Sequence, residues 1–182
     1  MKAARYILFL TLLPLPSAAQ EPAEPDYPAL PEYRVFATPA SPEDERAITE
    51  LMDRFSRAWG AQDIDALLTT YTEDAEWTNA FGWVSRGHDE LRETFEWVFD
   101  RFPATGDEDA SADAEPLSDE ERGRLSRRYI GDDAAVIFSV TESDWGESRD
   151  GSGLRRVYIN YVLAKHEGEW PTTPQLIMDA RR

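Results

Sequence analysis

The side chains that could do chemistry are few in kind. The chain has 2 histidines and no cysteine, which excludes a thiol nucleophile, a disulfide framework, an iron–sulfur cluster and cysteine-ligated zinc. His88 and His166 lie far apart, and no HxH or HExxH spacing occurs, so no metal site is expected. His88 reads as a helix-start residue and His166 as an exposed turn residue. No G-x-S-x-G stretch follows a strand-like run, and a nicotinamide fingerprint is missing too, so no cofactor is expected. Carboxylates, amides and aromatic rings remain. A carboxyl group in an apolar interior has a raised pKa and can serve as a base or as a protonated donor. Glu142 and Asp144, in the run ESDW, are the sources of such a group, with Tyr158 as a donor. Trp59, Trp77, Phe95 and Phe99 either line an aromatic pocket for a flat ligand or form plain core, since the same spacing serves both. Tyr71, Trp83, Trp145 and Tyr158 fall at the rim of such a pocket or at an interface between subunits.

The chain that must position these groups has 182 residues, 41% hydrophobic and 30% charged. That suffices for one packed domain with extensions. The formal charge of −17 argues against binding DNA, RNA or an anionic membrane, whose phosphates would be repelled. Residues 1–19, MKAARYILFLTLLPLPSAA, combine a basic start, a short apolar run and small residues at the end. They read as a signal peptide. The run is shorter than the roughly 20 apolar residues of a membrane span, and no later segment is apolar enough to cross. A periplasmic or secreted protein is expected. Residues 20–40 contain five prolines and read as an extended arm, its far end pinned by Tyr33, Val35 and Phe36.

The domain then spans 41–182. Ser41 is a good N-cap, Pro42 suits the first helical position, and Ile48, Leu51, Met52, Phe55, Ala58 and Trp59 share one helical face. Gly60 is placed to stop this helix, and Asp63 to cap a short second one carrying Leu67 and Leu68. Alternation from Ala75 to Asn79 predicts a strand, Phe81-Gly82 a turn, and Trp83 to Arg86 a second short strand. A third helix follows Gly87, with Leu91, Phe95, Val98, Phe99 and Phe102 on one face, and Pro103 ends it. An acidic loop covers 104–122. Eight of the residues 107–121 are acidic and none is basic, but the glycine and glutamate of an EF-hand are missing, so it reads as solvated rather than calcium-binding. The remainder predicts antiparallel strands: RLSRRYI and AAVIFSVTESDW about a turn at Gly131, then LRRVYINYVLAKHEGEW, then QLIMDA after an approach disturbed by Pro171 and Pro174. Helices first and strands last is an α+β pattern.

In this order of elements, and in the words RFSRAWGAQDIDALLTTYTEDAEWTNAFGWVSRGHDEL, RRYIGDDAAVIFSV and INYVLAKHEGEW, the chain resembles the nuclear transport factor 2-like superfamily. It is most similar to the SnoaL-like group that includes the SgcJ/EcaC domains. The resemblance covers roughly 44–170. It implies a cystatin-like fold: a cone-like curved antiparallel sheet packed on three N-terminal helices, with a pocket between the concave face and the first helix. It also implies that the convex face pairs two subunits. Independently, Val157, Ile159, Tyr161 and Leu163 alternate with Tyr158, Val162 and Ala164, so both faces of that strand need cover. A second copy of the chain is the economical partner.

The superfamily hosts many reactions, so the fold alone implies none of them. In its ketosteroid isomerase design, the resemblance places the base at Asn79, the protonated carboxyl at Asn160 and the helix tyrosine at Phe55. Two amides and a phenyl ring would then replace the acid–base equipment. Asparagine takes no proton near neutral pH, yet it donates and accepts hydrogen bonds; Asn79 equally suits a turn cap. The expectation is an exported, homodimeric pocket protein that binds a small, partly apolar molecule through Phe55, Trp59, Trp77, Asn79, Phe99, Tyr158 and Asn160. The alternatives are an isomerase, dehydratase or hydrolase using Glu142 or Asp144, and an assembly module with a vestigial pocket.

Overall fold

A computed structural model describes residues 29–103, 122–143 and 155–179. Residues 1–19, most of the proline-rich stretch, the acidic stretch up to residue 121, Asp144 and Trp145 lie outside the described residues.

The helical half forms where the local signals place it. Helix α1 spans Pro42–Gly60 and α2 spans Ile64–Leu68. The Ser41 hydroxyl accepts from the Asp44 amide at 3.1 Å, and Asp63 Oδ1 accepts from the Ala66 amide at 3.0 Å. Each cap satisfies an amide that has no helical partner. Gly60 is the last residue of α1 but does not turn the chain. Gln62, at φ 53°, takes the left-handed conformation, and its side-chain amide donates to the Phe102 carbonyl at 2.9 Å, tying this corner to the end of the third helix. That helix, α3, spans Gly87–Arg101.

Seven strands make one sheet: β1 Arg34–Phe36, β2 Tyr71–Thr78, β3 Val84–Arg86, β4 Arg124–Ile130, β5 Ala134–Ser143, β6 Arg155–Ala164 and β7 Thr172–Asp179. Their order across the sheet is β1-β4-β5-β6-β7-β2-β3. The α+β class and the three helices stand as expected. The sheet is mixed instead of purely antiparallel, because β1 joins β4 and β7 joins β2 in parallel. The first parallel pair is the pin at the end of the proline-rich arm: Phe36 carries the Arg128 guanidinium over its ring at 4.0 Å.

Three register irregularities, at Tyr71/Glu76, Arg124/Ser126 and Tyr161/Leu163, bend the sheet around the helices. The first and third border the Pro171–Pro174 approach. Beside the second, Gly123 at φ 67° packs so closely on β5 that a Cβ there would stand 2.5 Å from the Val140 carbonyl oxygen. Only glycine fits.

Period-two alternation sorts the long strands. Ala135, Ile137, Val157, Ile159, Tyr161, Leu163 and Ile177 face the helices and join Ile48, Leu51, Leu67, Leu91 and Phe95 in one core. A buried polar lock closes the rim. Asp44 accepts from the Trp170 indole at 3.0 Å and pairs with Lys165 at 2.6 Å, joining the start of α1 to the β6–β7 turn.

The Lys165 ammonium beside Asp44 holds that carboxyl below its ordinary value, and Asp44 in turn raises Lys165. The lock therefore stabilises the fold between the two titrations. Its contribution is complete above the ordinary carboxylate value and is lost as pH falls through the lowered pKa of Asp44. At the alkaline end it is lost as pH rises through the raised pKa of Lys165. Asp44→Asn is expected to lower the Tm at pH 7 by several degrees and to flatten the acid limb of a Tm-versus-pH curve.

Candidate functional site

The concave face is filled by aromatic rings. Phe95 of α3 is fully buried at the centre, with Trp59, Tyr71, Trp77 and Phe99 at ring-centroid distances of 6.1, 6.0, 6.0 and 6.3 Å. Phe55 of α1 extends the block, stacked on Trp59 at 6.1 Å and edge-on to Tyr161 at 5.1 Å. Offset and edge-to-face pairs at these distances contribute beyond simple burial. Thus Phe55, Trp59, Trp77 and Phe99 are brought together as expected, but as mutually packed core. Trp59 and Phe99 keep a partly exposed edge.

Tyr158 and Asn160 are not part of this group. They alternate with Val157, Ile159 and Tyr161, so they stand on the opposite, convex face. There Tyr158 stacks on Phe138 at 5.6 Å, and Asn160 lies between Phe138 and Leu176 in register. Their expected pocket role is corrected by strand parity: a one-residue error in register moves a side chain to the other face. Glu142 is on the convex face as well, exposed and held by Arg156 Nε at 2.7 Å. It does not reach the interior.

Asn79 sits where β2 turns toward β3. Its Oδ1 accepts from the Phe81 and Trp83 amides at 2.9 and 3.0 Å, the side-chain turn mimicry that asparagine favours. It also lines a cleft of about 180 Å³ between the β2–β3 hairpin and α3. Trp77 is the floor of that cleft. Trp83 of the hairpin and Trp97 of α3 form an angled wall, their rings 5.9 Å apart, at 62% and 49% exposure. Ser85 and Thr94 share a hydroxyl–hydroxyl bond of 2.6 Å at its base, and Glu93 stands on its rim. The indole N–H of Trp77 is buried and has no acceptor among the described residues, a cost of about 1–3 kcal/mol unless something meets it.

The interior also holds Asp53, which the sequence reading did not single out, and Tyr71, which it placed at a rim or subunit interface. Asp53, on the inner side of α1, is buried and ion-paired with Arg122 at 2.5 Å. The ion pair commits this carboxylate to Arg122. Tyr71 donates its hydroxyl to Gln175 Oε1, and burial raises the pKa of Tyr71 and Tyr161, keeping both phenols protonated. Asp53 carried a readable signal: it directly follows Met52 and lies two positions before Phe55, beside the apolar stripe of α1, where a buried charge needs a partner. The His88 Nε2 lies 3.3 Å from the Tyr71 carbonyl oxygen, and His166 is exposed. Among the described residues no group of three metal-ligating side chains occurs.

A family model described as a SnoaL-like domain matches residues 52–113. The structure is similar to a cystatin-like protein of unknown function from Nostoc punctiforme, with a TM-score of 0.53 and 20% identity over 78% of this chain and 95% of that one. It is also similar to a ketosteroid isomerase-like protein from Erwinia carotovora, with a TM-score of 0.54 and 19% identity over 78% and 100%. A Caulobacter vibrioides protein with a cystatin-like fold gives 0.55 and 15% over 75% and 89%. The fold is therefore cystatin-like, and part of the chain is similar to a SnoaL-like domain. At these identities the likeness speaks for the fold and for no activity. A search of curated proteins returns no match.

The SnoaL-like match begins inside α1 and takes in the whole β2–β3 hairpin and α3, the elements that hold both the ring block and the cleft. Truncating the block and truncating the cleft wall should therefore differ sharply. Phe95→Ala is expected to cost about 3–5 kcal/mol in urea unfolding. Trp83→Ala, at the exposed wall, should stay within about 0.5 kcal/mol of the parent protein.

Proposed function

We propose that this chain is an exported pocket domain that binds a small, partly apolar molecule in the cleft beside Asn79 and does not abstract protons through an interior carboxylate. The cleft itself carries the reading. It combines three tryptophans with a few convergent polar groups, the usual make-up of a small-molecule site. Its volume lies below the roughly 300–1,000 Å³ of drug-sized pockets, so the occupant is small. The interior offers nothing equivalent, because rings fill it and Asp53 is committed to Arg122. The enzyme alternative loses Glu142 to the convex face, and Asp144 lies outside the described residues.

Export rests on the leader-like segment 1–19. The pairing of two copies rests on the convex face, where Leu176 and Met178 are 43% and 40% exposed beside Phe138, Tyr158 and Val162. An apolar stripe of this kind across a sheet marks an interaction surface.

Titrating the protein with a panel of aromatic and polyketide-like compounds should give a saturable change in tryptophan fluorescence that Trp83→Ala or Trp97→Ala removes. A flat response across the panel overturns the reading and leaves the assembly role. For the dimer, light scattering should report twice the chain mass, and Leu176→Glu with Met178→Glu should convert it to monomer with the fold intact.

A further inference from the structure

Resting on the reading of the cleft as a ligand site, the inference concerns the charge of its occupant. Glu93 is the one ionisable group lining the cleft, and it makes no ion pair among the described residues. Helix α3 carries Asp89, Glu90, Glu93, Glu96 and Asp100 against Arg92 and Arg101. Both of those cations are occupied elsewhere. Arg92 pairs with Asp65 at 2.6 Å, and the Arg101 guanidinium lies 5.9 Å from the Phe102 ring centroid. On the hairpin, Arg86 pairs with Glu76 at 2.7 Å. The cleft is thus a negative concavity walled by two exposed indoles, in a chain of net charge −17. An anion would be repelled here, whereas a cation would meet the exposed Glu93 carboxylate.

We propose that the cleft between Trp83, Trp97 and Glu93 binds a small organic ammonium ion. Indole faces attract a cation through their quadrupole, most strongly when it is poorly hydrated, as a methylated ammonium is. Glu93 supplies the balancing charge, and the acidic surface concentrates cations near the mouth. A sugar would also stack on tryptophan, but it would draw no advantage from the lone carboxylate.

The test uses the full chain and three probes: choline, its uncharged isostere 3,3-dimethylbutan-1-ol, and methyl glucoside. Choline is expected to give saturable tryptophan quenching and a calorimetric isotherm, weakened by added salt, with the isostere at least about tenfold weaker. Glu93→Gln should weaken choline by at least about tenfold while leaving the isostere unchanged, and Trp97→Ala should abolish binding, both at an unaltered Tm. Equal binding of choline and its isostere, or binding of the glucoside alone, overturns the ammonium inference and leaves the cleft as a site for neutral molecules. No binding of choline at millimolar concentration also overturns it, and the neutral panel described above then judges the broader reading separately.

Discussion

Everything in this fold is arranged around one requirement, that a block of aromatic rings be kept dry. Phe95 has no exposed surface, and its neighbours come from α1, α3, β2 and, through Phe55 and Tyr161, from β6. No single element could bury these rings alone. A helix covers only one stripe and a sheet only one face. The bend in the sheet follows from the same need: the register irregularities let long strands wrap the helices, and Gly123 permits the closest approach of β4 to β5.

Filling the concavity has a chemical consequence. Related folds can use an interior cavity to raise a carboxyl pKa, but here the interior is occupied, and the two buried carboxylates of α1, Asp44 and Asp53, are paired with Lys165 and Arg122. The polar groups left available lie at the margin, where the β2–β3 hairpin meets α3. There a wall of exposed indoles and a lone carboxylate stand together. Two exposed indoles side by side make a local apolar patch of the kind that marks an interaction site.

Much of this was legible along the chain. The caps at Ser41 and Asp63, the apolar stripes of α1 and α3, and the arm pinned near Phe36 are local matters, decided within a few residues, and they appear where expected. The grouping of Phe55, Trp59, Trp77 and Phe99 was legible too, though spacing gave no means of telling core from pocket lining. Asn79 showed the same ambiguity and does both, capping the turn and lining the cleft. Tyr158 and Asn160 were misplaced for a definite reason. Strand β6 is apolar on both sides, so alternation says which residues share a face but not which face meets the helices.

The amino-acid sequence by itself determined the elements, their order, the α+β class and the absence of any thiol, because these depend on local propensity and on composition. Tertiary structure alone decided three things. It joined β1 to β4 and β7 to β2 in parallel, it set the parity of β6, and it placed Trp83 against Trp97, fourteen positions further along the chain, to make a cleft. Each of these is a contact between segments that no local preference specifies. Which partner a strand or ring meets is settled by the packing that leaves the least apolar surface in water.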